Sequence, residues 1–201
     1  MRTWWTWPAR SSWRSSAALL LALATPARAE GEVRGKLSGS RALPAVVYAS
    51  DLPAAVAPPQ LHAVLRQLHL RFAPEVLPVV QGTTVDFVND DSTAHNIFSP
   101  TESDAFDLGT FGDGARTHVF QAPGPHVILC NVHLEMVAWV LVLRNAAFAA
   151  VDEDGTFLLH LSPGRHRLVL WRPRLEEQSR EVEVPAGGDV KLSWDVSGRA
   201  R

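Results

Sequence analysis

Apolar and polar residues alternate over short runs through much of this chain. Val85 and Phe87 fall on one side of their stretch and Thr84 and Asp86 on the other; Val127 and Leu129 oppose Ile128 and Cys130. A period of two marks a strand with one buried face. Ala138 to Leu143, Ala-Trp-Val-Leu-Val-Leu, has no polar break and fits a strand covered on both faces. Short strands separated by turn signals from Val76 to Leu143 predict a β-sandwich. A second series of strands runs through 148–196, with turns at Ser162-Pro163-Gly164 and Pro185-Ala186-Gly187-Gly188. Glu32–Leu37 and Ala45–Ala49 read as two further strands, bounded by Gly39-Ser40 and Pro44. The fold class is therefore all-β. Leu61–Arg71 departs from the pattern: its apolar residues at 61, 64, 65 and 68 have helical spacing before a strand opens at Phe72. Residues 51–60, with Pro53, Pro58 and Pro59, have linker composition.

The first 29 residues have a different character. Arg2, Arg10 and Arg14 precede a short apolar run, Ala17–Ala24, and Ala27-Arg28-Ala29 forms an A-x-A site. This is the pattern of a cleaved secretory signal, with an uncleaved anchor as the alternative. The apolar run is too short to span a bilayer. The segment carries four of the 19 basic residues and none of the 21 acidic ones, so its removal would leave a chain with a formal charge of −6. Such a charge disfavours nucleic acid as a partner. A periplasmic location is expected, with no membrane span and a monomeric state.

Cys130 is the only cysteine, so an exported chain cannot form an internal disulfide, and the thiol is either free or a metal ligand. His133 follows at three residues and Met136 at six, while His95 stands upstream. One thiolate, two imidazoles and a thioether match the donors of a mononuclear electron-transfer copper site, a His₂Cys plane with a weak axial Met. The loop is too short to supply both histidines, so His95 must arrive from another strand. Taken singly, each residue also fits an ordinary role: a buried thiol, a core methionine, hydrogen-bonded histidines.

The run Val79-Val80-Gln81-Gly82-Thr83-Thr84-Val85-Asp86-Phe87-Val88-Asn89-Asp90-Asp91, then His95-Asn96, Phe106-Asp107-Leu108-Gly109, Ala122-Pro123-Gly124 and Cys130-x2-His133-x2-Met136 together resemble the cupredoxin family over about eighty residues, 70–145. The short spacing is similar to that of amicyanin. The resemblance implies a Greek-key β-sandwich in residues 60–145 and one copper cycling between Cu(I) and Cu(II) on His95, Cys130, His133 and Met136. It implies that Asn96 ties the two ligand loops together, and that His133 is the electron port. Leu134 and Glu135 flank that port, and the carboxylate departs from a purely apolar docking patch. Asp152-Glu153-Asp154-Gly155-Thr156-Phe157 with Ser162-Pro163-Gly164-Arg165-His166 resembles a carboxypeptidase regulatory-like (transthyretin-like) β-sandwich, with His166 where that pattern has tyrosine. The opening strands of such a sandwich are missing from 147–198, and 30–57 resembles them. A discontinuous second domain, 30–57 with 147–198, is the expected arrangement, the alternative being an N-terminal hairpin on the first sandwich.

The reading is a carrier of single electrons between redox partners rather than an enzyme: the chain has no His-x-His pairs of the kind an oxygen-reducing copper cluster needs. Two other functions use the same features, a module that buffers or delivers copper and a structural or interaction protein. Among the remaining candidates, His62, His69, His118 and His126 read as structural histidines. Asp152–Gly155 reads as an acidic turn, since the later ligands of a calcium loop do not follow.

Overall fold

The structure is a computed structural model that describes residues 30–39, 44–54 and 62–196; the expected signal segment, and Pro58, Pro59 and Leu61, lie outside the described residues. Regular structure is almost entirely β. Strands β1 (Gly31–Ser38) and β2 (Val46–Ala49) come first, followed by β3 (His62–Gln67), β4 (Phe72–Ala73), β5 (Val76–Val80), β6 (Thr84–Asn89), β7 (His95–Ser99), β8 (Phe106–Phe111), β9 (Ala115–Val119), β10 (Gly124–Leu129) and β11 (Val137–Leu143). The series ends with β12 (Phe148–Ala150), β13 (Thr156–Leu161), β14 (Gly164–Trp171), β15 (Gln178–Val184) and β16 (Asp189–Asp195).

Two pairs of sheets result. The central part of the chain forms a five-stranded sheet, β5-β11-β10-β7-β8, and a four-stranded sheet, β4-β3-β6-β9. Leu65, Val85 and Phe87 of the smaller sheet pack against Ile97, Ile128 and Val140 of the larger one. A second sandwich pairs β13-β1-β16 with β12-β2-β14-β15, around Val33, Val47, Leu159, Leu168, Leu170 and Trp194. In β1 the burial strictly alternates from Val33 to Ser38, as a strand with one covered face requires. Gly35 lies opposite Phe157 in the register, and a Cβ at that position would strike the Phe157 ring. The glycine thus makes room for the aromatic side chain on the neighbouring strand.

Residues 62–67 are a strand and not the helix that the spacing of 61, 64, 65 and 68 suggests. β3 runs parallel to β6, with Leu65 opposite Phe87, and Leu65 and Gln67 are buried while Val64 and Leu68 remain more than a third exposed. Inter-strand pairing along six residues satisfies the backbone, and the burial follows a period of two; the local apolar spacing is overridden by long-range partners.

β11 is the strand without a polar break, and its faces serve different cores. Ala138, Val140 and Val142 belong to the first sandwich. Leu141 and Leu143 turn the other way, onto Val46 and Trp171 of the second sandwich. Trp139 meets Trp171 edge to face, with ring centroids 6.1 Å apart, the geometry aromatic pairs prefer. The two sandwiches therefore share an apolar seam. Among the described residues, no helix is long and apolar enough to cross a membrane.

Candidate metal centre

The centre sits at one end of the five-stranded sheet. β10 and β11 are antiparallel with Leu129 opposite Val137, so residues 130–136 are the loop of a hairpin. On the other side of β10, Leu129 pairs with Phe98 of β7. The start of β7, where His95 lies, therefore comes beside that loop. The alternation that buries His126 and Ile128 on β10 continues to Cys130, which is 2% exposed. His95 is fully buried, Met136 is 1% exposed, and His133 is half-buried.

One ligand atom each from His95, Cys130 and His133 lie within 4.8 Å of one another. Nδ1 of His95 is 3.0 Å from Nδ1 of His133. The His133 amide donates to Cys130 Sγ at 3.4 Å, which orients the sulfur toward the loop. The Met136 amide donates to the His133 carbonyl at 3.0 Å, closing the turn and holding Met136 in the core cluster that includes Cys130. Two nitrogens and a soft sulfur converging from strand β7 and the 130–136 loop, with a buried thioether on the same loop, fit a copper ion in the chemistry of their donors.

Asp91 completes the surroundings of His95. Its Oδ2 is 2.8 Å from His95 Nε2. An ionised carboxylate only accepts hydrogen bonds, so Nε2 is the donor of this pair, and a ring with a single proton has its lone pair on Nδ1, the atom that faces His133. Asp91 also accepts from the His69 amide at 2.6 Å and the Leu70 amide at 3.0 Å. Those two residues have φ of 54° and 58°, a left-handed conformation uncommon for residues with side chains. Burial alone pushes the Asp91 carboxyl up, but the Leu70 amide, the His95 imidazole and the His69 amide together hold it below the ordinary carboxylate range. Sequence reasoning assigned Asp91 no role. The signal it could have used is a carboxylate four residues before the candidate ligand.

Asn96 differs from what the resemblance implies. Its amide donates to Asp107 Oδ1 on β8 at 2.8 Å, and its side-chain oxygen is buried without a hydrogen-bond partner. The side chain thus ties β7 to β8 rather than to the 130–136 loop, because in the β7–β8 register Asp107 is near at hand. The other histidines lie apart from this group. His126 bonds the Ala122 carbonyl at 2.7 Å, His118 reaches Asp104 at 3.2 Å and stacks on Phe106, and His62 pairs with Asp86 at the surface. Asp152 closes a turn: its carboxylate takes up the Thr156 hydroxyl and amide and the Asp154 amide. Among the described residues, the His95, Cys130, His133 group is the one cluster of at least three such side chains whose donor atoms converge.

No protein-family model matches the chain, and no curated protein does. Among solved structures, a purple cupredoxin from Nitrosopumilus maritimus is similar at 26% identity and TM-score 0.37, covering 40% of this chain and 99% of that one. The Cu-containing nitrite reductase NirK from Thermus scotoductus SA-01 is similar at 23% identity and TM-score 0.41, over 56% of this chain and 28% of that one. A point mutant of amicyanin, in its reduced Cu(I) form, is similar at 21% identity and TM-score 0.38, over 48% of this chain and 91% of that one.

Proposed function

We propose that this chain is a type 1 copper protein that carries single electrons between redox partners. The observation that supports it best is the convergence of the Cys130 thiol and two imidazole nitrogens within 4.8 Å, at one end of the five-stranded sheet. Copper bound there would supply a one-electron couple between Cu(I) and Cu(II). His95, Cys130 and His133 would hold it, with Met136 as the weaker fourth donor. Strand β7 and the hairpin loop hold these donors close together, so little rearrangement of the protein would accompany a change of charge at the site.

Burial favours retention of the metal over delivery. Three of the four side chains are at most 2% exposed, so a bound ion would be largely shielded from an acceptor. His133 is the donor nearest solvent, in a loop where Val132 is 50% and Leu134 81% exposed. We take this loop as the face that meets a redox partner, with Glu135 favouring a partner of basic rim. A periplasmic location follows from the signal pattern.

The same proposal covers the domain plan: residues 30–57 with 147–198 are one discontinuous regulatory-like sandwich, and 60–145 is inserted into it. What supports this is that β1 lies between β13 and β16, and β2 between β12 and β14. The test of function is a visible absorption and paramagnetic resonance spectrum of the copper-loaded protein. An intense thiolate-to-copper band with reversible one-electron reduction is expected. A protein that binds oxidised copper without that band, or none at all, overturns the reading.

A further inference from the structure

We infer that Asp91 is the positioning residue of the centre: it fixes the tautomer of the buried His95 ring and ties that ring to the exposed turn at residues 68–71. The inference deepens the copper reading and rests on it for the consequences at the metal, though its structural core concerns the protein alone. One carboxylate takes three hydrogen bonds. Oδ1 accepts the His69 amide at 2.6 Å, while Oδ2 accepts both the Leu70 amide at 3.0 Å and His95 Nε2 at 2.8 Å.

Each bond has a separate effect. An imidazole buried without contact to water cannot exchange its proton between nitrogens at will, so the acceptor beside Nε2 selects the form with Nδ1 free. Nδ1 is the nitrogen that lies 3.0 Å from His133 Nδ1. A charged acceptor behind a ligand imidazole also raises its basicity and favours the more positive state of a bound metal. At the other end, the two amide bonds hold His69 and Leu70 in the left-handed conformation that sets the turn. Leu68 and Leu70 are about 40% exposed on it. A surface turn and a buried ligand thus share one anchor, and neither can shift without loosening the other.

The test compares Asp91→Ala with Asp91→Asn in the full chain. In the copper-free wild type at neutral to alkaline pH, nitrogen NMR of His95 should show the proton on Nε2. Asp91→Ala should give a mixture of tautomers, amide exchange at His69 and Leu70 faster by about tenfold or more, and copper affinity lower by about 10–100-fold. Asp91→Asn keeps an acceptor without the charge; it should retain the tautomer but raise the reduction potential of the loaded protein. A thermal melt shows whether either variant is folded; if Asp91→Ala is not, Asp91→Asn decides. Unchanged tautomer and amide exchange in folded Asp91→Ala, or an unchanged potential in Asp91→Asn, overturns the inference. Failure of the wild type to bind copper overturns the functional reading instead, and the NMR and exchange results still decide the role of Asp91.

Discussion

Each sandwich buries a histidine beside an aspartate, and the two histidines end differently. In the second sandwich, His166 is 5% exposed; its Nδ1 is 3.1 Å from Asp51 Oδ2 and its Nε2 2.8 Å from the Ser162 carbonyl. Both ring nitrogens face protein oxygens, so neither is turned toward a possible ligand. In the first sandwich, His95 gives only Nε2 to Asp91, and Nδ1 faces a second imidazole, with a thiol close by. Burial and an aspartate partner are common to both sites. What separates a structural histidine from a candidate ligand is where the second nitrogen points, and that is set by whether a carbonyl or a group of soft donors occupies the far side.

The sharpest test of this contrast exchanges the two regions' losses. Cys130→Ser should abolish the thiolate band completely, because a hydroxyl is a poor, hard substitute for the sulfur. His166→Ala should leave the band intact and instead cost about 1–3 kcal/mol in a denaturant titration, as Asp51 and the Ser162 carbonyl lose a buried partner. A band lost in His166→Ala under native conditions would mean that the two regions are not independent.

The seam between the sandwiches offers the next largest effect. Trp171 is 5% exposed and packs on Trp139, Leu141 and Leu143. Trp171→Ala should lower stability by about 3–5 kcal/mol, read from the shift of the denaturation midpoint. A change well under about 1 kcal/mol, against that scale, would show that the seam contributes little and the two bodies are held mainly by the chain.

Met136→Gln probes the proposed fourth donor. The thiolate band should persist, while the reduction potential measured by voltammetry should fall, since an oxygen donor favours Cu(II) over Cu(I). An unchanged potential would remove Met136 from the ligand set.

The smallest effect concerns Tyr48, the only tyrosine of the chain, on the seam side of β2. Burial, reinforced by the Glu177 charge, pushes its phenol up to about 12. The folded state then holds the proton more tightly than the unfolded state does. The stability this contributes is present below the ordinary tyrosine value of about 10 and is lost as pH rises from there through the folded value. An ultraviolet titration of the native protein should show phenolate only near pH 12. Ionisation near the ordinary value would mean that water reaches the seam.

Much of the strand pattern was legible in the sequence. Alternation around Val85 and Phe87, and the unbroken run Ala138–Leu143, reflect forces acting on each residue within its own strand, and they marked β6 and β11 directly. The spacing of Cys130, His133 and Met136 was legible for a similar reason, since one tight hairpin loop carries all three. Tertiary structure decided what depended on distant partners. It made residues 62–67 a strand, because pairing with β6 outweighs a local helical spacing. It gave the two faces of β11 to two different cores, which no run of apolar letters can apportion. It turned the Asn96 amide to Asp107 rather than to the loop. It also set Asp91 against His95 on one side and the 68–71 turn on the other. A period in sequence records which side of an element is buried. The direction of a polar side chain is settled by which donors and acceptors the folded chain brings within hydrogen-bonding distance, and those come from strands far apart in the sequence.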